Sequence, residues 1–205
     1  MGNYFYAMLH RMRYIERWSL MRNAQSENLQ EHTLEVAYFA HALALIRRSY
    51  FPDLPAARPE TCVMLALYHD VSEIITGDLP TPIKYFNDQI HRSFKEVEGE
   101  ALDLMVQGIP EEIQGDYVPY LYQEAADDQA EDFALAKPLV KAADTLSAYL
   151  KCLDELAVGN HEFQDAAEST REKLLAYDLP EVQWFLENCL ADFGRTLDDL
   201  RAGRA

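Results

Sequence analysis

The stretch 66–86, ALYHDVSEIITGDLPTPIKYF, ends an apolar run with a histidine and an aspartate side by side, His69 and Asp70. The run before them, CVMLAL at 62–67, is typical of a buried helix that delivers both polar side chains near its C-terminal end. A glycine and two prolines follow in close succession, which predicts a stiff turn. The stretch therefore predicts a helix, a semi-enclosed polar pair and a preformed loop beside it.

Apolar residues recur at helical spacing along almost the whole chain, and alternating runs of β-branched residues are missing. We therefore predict an all-α fold, a single-domain helical bundle over 1–205. The expected helices cover about 3–15, 31–48, 59–75, 84–106, 138–158, 161–176 and 180–201. The acidic stretch 124–138 is expected to be a solvated connection, and Pro138 is expected to start the next helix.

The net charge of −17 is the strongest feature of the composition. Such a field repels phosphate backbones and anionic membrane surfaces, so neither polymeric nucleic acid nor a membrane is expected as a partner. An anionic small substrate would need local positive charge at its site, which a divalent cation and one or two arginines can supply.

Cysteine usage and hydropathy indicate a cytoplasmic protein. Cys62, Cys152 and Cys189 are far apart and form no C-x-x-C pair, so neither a disulfide framework nor a thiolate zinc site is indicated. No apolar run is long enough for a membrane span, and no signal peptide is evident. We therefore expect a cytoplasmic location.

Two further residues are candidates to join His69 and Asp70. His32 lies on an apolar helical stripe with Val36 and Phe39, so its ring should point inward, although a lone histidine there is more often a satisfied core residue. Asp144 sits at the margin of another apolar stripe, where a lone acid is usually solvated. Together the four supply two imidazoles and two carboxylates. That donor set suits a divalent first-row metal and metal-assisted hydrolysis, without deciding which metal.

The order His32, His69-Asp70, Asp144 resembles the H…HD…D pattern of the HD-domain metal-dependent phosphohydrolases. Longer stretches are similar to the bacterial 5′-deoxyribonucleotidase family: RWSLMRN, SENLQEHTLEVAYFAHALA, YHDVSEIITGDLPTPIKYFN and VKAADTLSAYLKCLDELAVGNHEF. The resemblance implies an HD-type helical bundle with a metal-binding core at about 28–160 and C-terminal helices at 161–201. It also implies a phosphoric monoester hydrolase (EC 3.1.3 class) that removes phosphate from deoxyribonucleoside 5′-monophosphates.

The resemblance further implies roles for individual residues. One divalent ion, with Co²⁺ or Mn²⁺ favoured and Zn²⁺, Mg²⁺ or Fe²⁺ left open, would be held by His32, His69, Asp70 and Asp144. Glu73 would be the acid/base, and Arg17 and Asp70 would assist catalysis. The implied substrate-binding residues are Arg17, Trp18, Asp70, Asp78, Leu79, Pro80 and Thr81. Asp78 would accept a hydrogen bond from the sugar 3′-hydroxyl, and Trp18 would be a flat wall. A homodimer is the family tendency.

Two alternatives remain open from the sequence. An HD-type phosphohydrolase could act on another nucleotide, as a cyclic nucleotide phosphodiesterase or a nucleoside triphosphate hydrolase. A helical binding or scaffold protein could instead use the same histidines and aspartates only as buried pairs. It would bind no metal.

Overall fold

The computed structural model describes residues 2–84 and 86–203, with Thr81 described only through its backbone. Within these ranges the regular secondary structure consists of helices joined by non-helical connections. The extended contact found in these ranges is an isolated antiparallel bridge between Glu16 and Asn28. The helices are α1 (Phe5–Leu9), α2 (Leu29–Tyr50), α3 (Pro59–Tyr68), α4 (Glu73–Thr76), α5 (Thr81–Lys84), α6 (Asp88–Gln107), α7 (Glu111–Tyr122), α8 (Ala130–Ala157), α9 (Gln164–Ala176), α10 (Pro180–Asn188) and α11 (Leu197–Ala202). The predicted all-α bundle is confirmed.

Helix α2 has a well-defined start because Asn28 caps it. The Asn28 side chain accepts from the amides of Gln30 and Glu31, and the Glu31 carboxylate accepts from the Asn28 amide in return. This reciprocal capping box satisfies backbone donors that the first turn leaves unpaired. It also places His32 in the first turn of α2, facing the core.

The main core lies where α2 packs on α3 and α8, and α9 and α10 close it on α8 and α2. Its apolar side chains include Val36, Leu43, Leu65, Phe133, Leu146, Leu150, Phe163 and Phe185. Because α2, α3 and α8 share this core, polar residues at adjoining positions on these helices are brought close together. None of the helices in the described ranges combines the length and the apolar character needed to cross a bilayer.

Helix α3 ends at Tyr68, although the periodicity predicts a continuous helix to residue 75. The carbonyl of Ala66 accepts from both the backbone N–H of His69 and the His69 ring, so it is not available to the amide of Asp70. The chain then continues through tighter i→i−3 hydrogen bonds, such as Glu73 N–H to Asp70 C=O, before α4 begins. The break turns His69 and Asp70 toward the same space.

The predicted connection over 124–138 is wrong in its second half, because α8 already begins at Ala130 and Pro138 lies inside it. A proline removes one helical hydrogen bond, but Phe133, Ala136 and Val140 are buried on one side of α8 and stabilise the helix through that position. The helices predicted at 3–15 and 180–201 are each interrupted by a 3₁₀ turn, at His10–Tyr14 and Leu190–Gly194.

The non-helical segment before α2 is tied to the C-terminal end of α8 by the buried carboxylate of Glu155. That carboxylate accepts from the amides of Ala24 and Gln25 at 2.8 and 3.1 Å, and from the Asn160 side chain at 2.7 Å. Lys151 pairs with Glu155 at 2.5 Å and donates to the carbonyl of Gln25. This buried ion pair is therefore one of the contacts that fix the position of the segment.

We expect Glu155→Gln to lower the free energy of unfolding by roughly 3 kcal/mol at neutral pH, because it leaves Lys151 buried without its partner. Burial alone would raise the pKa of Glu155, but Lys151, Asn160 and two backbone amides lower it from 4.5 to about 2. The stabilising contribution is therefore complete above about pH 4.5 and is lost as the pH falls toward 2. Urea unfolding of both proteins between pH 2 and pH 7 measures this.

The matched control is Glu172→Gln, which removes an exposed carboxylate from α9. If Glu155→Gln is no less stable than this control at pH 7, or if its deficit stays constant down to pH 2, the anchoring role is contradicted.

Candidate active site

Two histidine rings, one in α2 and one directly after α3, meet beside two carboxylates. The His32 and His69 ring centroids are 5.4 Å apart. Oδ2 of Asp70 lies 2.9 Å from Nε2 of His69 and 3.7 Å from Nε2 of His32. Oδ1 of Asp144, on α8, lies 3.2 Å from Nε2 of His32. The structure thus brings together all four residues predicted as ligands. His32, His69 and Asp70 each contribute one possible ligand atom, and these three atoms lie within 4.8 Å of one another.

The Nε2 atoms of both histidines fit a cation site. Both are buried and make no hydrogen bond of good geometry to any described residue, which is uncommon for buried polar atoms. Nδ1 of His69 lies 2.7 Å from the carbonyl oxygen of Ala66, an atom that only accepts, so in the neutral ring the proton is on Nδ1 and the Nε2 lone pair is free. Two such nitrogens facing two carboxylates match the donor set of a divalent metal.

The electrostatics of the cluster also fit a bound cation. Burial alone would raise the pKa of Asp70 and Asp144, but the histidines and Arg17 lower the pKa of Asp70, and His32 lowers that of Asp144. Burial lowers the pKa of His32, and the charge of Arg17 lowers it further. For His69 burial acts in the same direction, yet Asp70 outweighs it and raises the pKa to about 9. The two carboxylates are therefore ionised beside the charged His69 ring and Arg17, and a metal would supply positive charge in place of the His69 proton.

Arg17 and Trp18 are ordered by a residue that the sequence analysis missed, Glu27. One oxygen of Glu27 accepts from Nε of Arg17 at 3.1 Å and from Nε1 of Trp18 at 3.0 Å. Nη1 of Arg17 lies 3.6 Å from Oδ2 of Asp70, so the guanidinium borders the cluster. Glu27 lies in a segment without periodicity, and nothing in its sequence context distinguishes it from a solvated acid.

Trp18 has a strained backbone, with φ of +58°, a region that bulky residues rarely occupy. Its amide donates to Asp78 at 3.3 Å, and its ring packs on Phe163 with centroids 5.3 Å apart. These contacts hold the tryptophan against the loop that follows Gly77, whose φ of +74° also lies in the left-handed region. The hydrogen bond to Asp78 and the ring contact with Phe163 thus stabilise the strained backbone of Trp18.

A cavity of about 570 Å³ lies between this loop, the segment before α2, and α9. Of the predicted substrate-binding residues it is lined by Arg17, Trp18, Asp78, Leu79 and Pro80, and it reaches the cluster at Asp144. The side chain of Thr81 lies outside the described part of the structure. The far wall, which sequence analysis did not predict, consists of α9 residues Ala166, Ser169, Thr170 and Lys173. A volume of this order suits a small-molecule ligand.

Glu73, the predicted acid/base, is the first residue of α4 and is buried. Burial, with the charges of Asp70 and Asp78 nearby, raises its pKa to about 9, so it holds a proton at neutral pH. Its Oε2 atom has no hydrogen-bond partner among the described residues. A buried carboxyl group in this state is suited to proton transfer.

We expect Glu27→Ala to lower kcat/KM for the nucleotide substrate that the resemblance implies by ten- to a hundredfold, because Arg17 and Trp18 lose their shared acceptor and a charged hydrogen bond is worth roughly 1.5–3 kcal/mol. Mn²⁺ affinity should stay within about twofold of the original value, since Glu27 is not among the four candidate ligands. Steady-state kinetics and a Mn²⁺ titration separate the two effects. Glu16→Ala, an exposed acid of the same segment, is the control, and equal kinetics in the two variants would contradict the role.

The fold is shared with solved HD-domain phosphohydrolases. The structure is similar to an HD-domain phosphohydrolase from Listeria innocua, with a TM-score of 0.77, 20% identity, and coverage of 94% of this chain and 90% of that one. It is also similar to the cyanophage S-2L HD phosphohydrolase, solved bound to dA and one catalytic Zn²⁺ ion, with a TM-score of 0.62, 21% identity, and coverage of 91% and 96%. At these identities the likeness shows the fold.

Sequence comparison narrows the class to one family. The family model described as 5′-deoxynucleotidase YfbR-like matches residues 4–193. A 5′-deoxynucleotidase of Vibrio atlanticus is 42% identical over 97% of this chain and 98% of its own length. The 5′-deoxynucleotidase YfbR of Escherichia coli O127:H6 is 44% identical over 97% and 96%. The chain belongs to the YfbR-like 5′-deoxynucleotidase family, and the predicted family is confirmed.

Proposed function

We propose that this protein hydrolyses deoxyribonucleoside 5′-monophosphates to the deoxyribonucleoside and phosphate, with one divalent cation held by His32, His69, Asp70 and Asp144. Family membership supports the substrate class. The observation that carries the metal-dependent chemistry is the pair of buried, unbonded Nε2 atoms facing two ionised carboxylates at the edge of the cavity.

Each group at the cluster has a separate role in the proposed hydrolysis. A divalent cation, when bound, lowers the pKa of a water molecule and neutralises phosphate oxygens. Arg17, held at Nε by Glu27 and with Nη1 beside Asp70, would present its guanidinium to the phosphate, and this local charge offsets the −17 net charge of the chain. Glu73, which holds a proton at neutral pH, would give that proton to the leaving 5′-oxygen.

The walls of the cavity support a deoxynucleotide orientation with the phosphate at the cluster. Asp78 would accept a hydrogen bond from the sugar 3′-hydroxyl, and a 3′-phosphate would be repelled by the same carboxylate. Leu79 and Pro80 would line the sugar, and Trp18 would be a flat wall for the sugar or base. The α9 side of the cavity, with Thr170 and Lys173, is then left for the outer part of the base.

Metal identity, location and assembly are part of the proposal. We propose Mn²⁺ or Co²⁺ as the effective metal, as the family resemblance favours; the nitrogen and oxygen donors suit either ion without selecting it. We propose a cytoplasmic enzyme, consistent with three unpaired cysteines. We also propose a homodimer, although Phe185 is in the core and Trp184 stacks on Tyr50, so these two aromatic residues are engaged within the chain. Light scattering during size-exclusion chromatography tests the dimer.

The test of function is phosphate release from dAMP, dCMP, dGMP, dTMP and dUMP by metal-stripped protein, with and without added Mn²⁺ or Co²⁺. We expect release only with metal, and none from deoxyadenosine 3′-monophosphate. Cyclic nucleotides and nucleoside triphosphates, assayed in parallel, separate the two alternative HD-type activities. If no 5′-monophosphate releases phosphate above the EDTA control, the proposal fails.

A further inference from the structure

His32 makes a second contact on the side of its ring away from the carboxylates. Its Nδ1 atom lies 3.1 Å from Oγ of Ser147, on α8. The Ser147 hydroxyl in turn donates to Oε2 of Glu35, on α2, at 2.5 Å. His32 and Ser147 are almost fully buried, at 1% and 0% exposure, so the contact between them is shielded from solvent.

The direction of these hydrogen bonds follows from the number of protons. A serine hydroxyl has one proton, and Ser147 gives it to Glu35, so toward His32 it can only accept. The neutral His32 ring must therefore have its proton on Nδ1, which leaves the Nε2 lone pair directed at Asp70 and Asp144. A hydroxyl without the Glu35 acceptor could rotate, donate to Nδ1 and place the ring proton on Nε2.

We propose that Ser147 and Glu35 are positioning residues, which hold His32 in the tautomer whose Nε2 can bind the metal. This inference rests on the metal site of the proposed function and assigns it two residues beyond the four ligands. His69 reaches the same tautomer through a backbone carbonyl, that of Ala66. His32 has no such carbonyl partner at Nδ1 in the described structure, so its orientation depends on side chains from two helices. Groups that orient a ligating histidine typically change metal affinity about 10- to 100-fold when removed.

Two variants test the two links of the relay by their affinity for Mn²⁺, measured on metal-stripped protein from the electron paramagnetic resonance signal of free Mn²⁺. Ser147→Ala removes the acceptor of the Nδ1 proton. Glu35→Met keeps the length of the side chain and removes the acceptor of the hydroxyl proton. Each is expected to raise the Kd for Mn²⁺ about tenfold or more.

Each variant has a matched control. Thr33→Val removes a buried hydroxyl from α2 that has no hydrogen-bond partner among the described residues. Asp154→Leu removes another carboxylate from the small second cavity, of about 180 Å³, that Glu35 also lines. Both controls should bind Mn²⁺ within about twofold of the original protein. Melting temperatures of the metal-stripped proteins show whether a loss of affinity merely follows a loss of stability.

The outcomes separate the inference from the proposed function. If the original protein binds no Mn²⁺, Co²⁺ or Zn²⁺, the metal site itself is wrong and the inference falls with it. If the original protein binds Mn²⁺ and both test variants bind it as tightly, the positioning role alone is overturned. Should Ser147→Ala not fold, Glu35→Met decides the question, because Glu35 is only partly buried. A tenfold loss in the test variants beside unchanged controls supports the relay.

Discussion

Glu73→Gln is expected to lower kcat for dAMP hydrolysis by about a thousandfold while leaving Mn²⁺ affinity unchanged. The amide keeps the size of the side chain but can neither give nor take a proton. Burial and two neighbouring carboxylates raise the pKa of Glu73 to about 9, so the original residue holds a proton that the variant lacks. Because Glu73 is outside the four candidate ligands, a Mn²⁺ titration should not distinguish the two proteins.

The control for Glu73 is Glu96→Gln, which changes an exposed carboxylate on α6. Single-turnover kinetics should show the loss in the chemical step, and KM should move little. Full turnover by Glu73→Gln with metal bound would mean that another group transfers the proton.

Asp70→Asn should remove both metal binding and activity. A single oxygen of Asp70 lies 2.9 Å from His69, 3.7 Å from His32 and 3.6 Å from Arg17, so it is shared by both imidazoles and the guanidinium. Asparagine preserves the shape and removes the charge. We expect the Kd for Mn²⁺ to rise about a hundredfold or more, and the rise in melting temperature that Mn²⁺ gives the original protein to disappear.

A second readout on Asp70→Asn needs no metal. Asp70 is the main group that raises the pKa of His69, so in the metal-free variant this pKa should fall and the ring should lose its proton at a lower pH. Nuclear magnetic resonance titration of the histidines measures that shift. Asp88→Asn, an exposed change at the start of α6, is the control. Retained Mn²⁺ affinity in Asp70→Asn would exclude this carboxylate as a ligand.

The fold class could be predicted from helical periodicity, whereas the proximity of the four candidate ligands was suggested by their residue types together with the family resemblance. The stripe of α2 places His32 inward, and the apolar run before His69 predicts a helix that ends in the core. The end of α3 could not be placed, because it depends on a ring nitrogen competing for the carbonyl of Ala66. The start of α8 was also misplaced, because the burial of Phe133 overrides the local effect of Pro138.

The sequence could not predict side chains that contact site residues from a different part of the fold. Glu27 lies in a non-periodic segment, and its contacts with Arg17 and Trp18 depend on how that segment folds back on itself. Ser147 and Glu35 are far apart in the chain and meet only because α2 packs on α8. The α9 wall of the cavity consists of small and polar residues, which look like any solvent-facing positions until the cavity is seen.

The carbonyl of Ala66 has a consequence for how the two histidine sites tolerate mutation. Every amino acid supplies a backbone carbonyl, so substitutions at position 66 that fit the core would keep the His69 ring oriented. The orientation of His32 depends instead on side chains that a single nucleotide change can remove. In a saturation mutagenesis screen for phosphatase activity, we therefore expect position 66 to accept several small residues and position 147 to accept few.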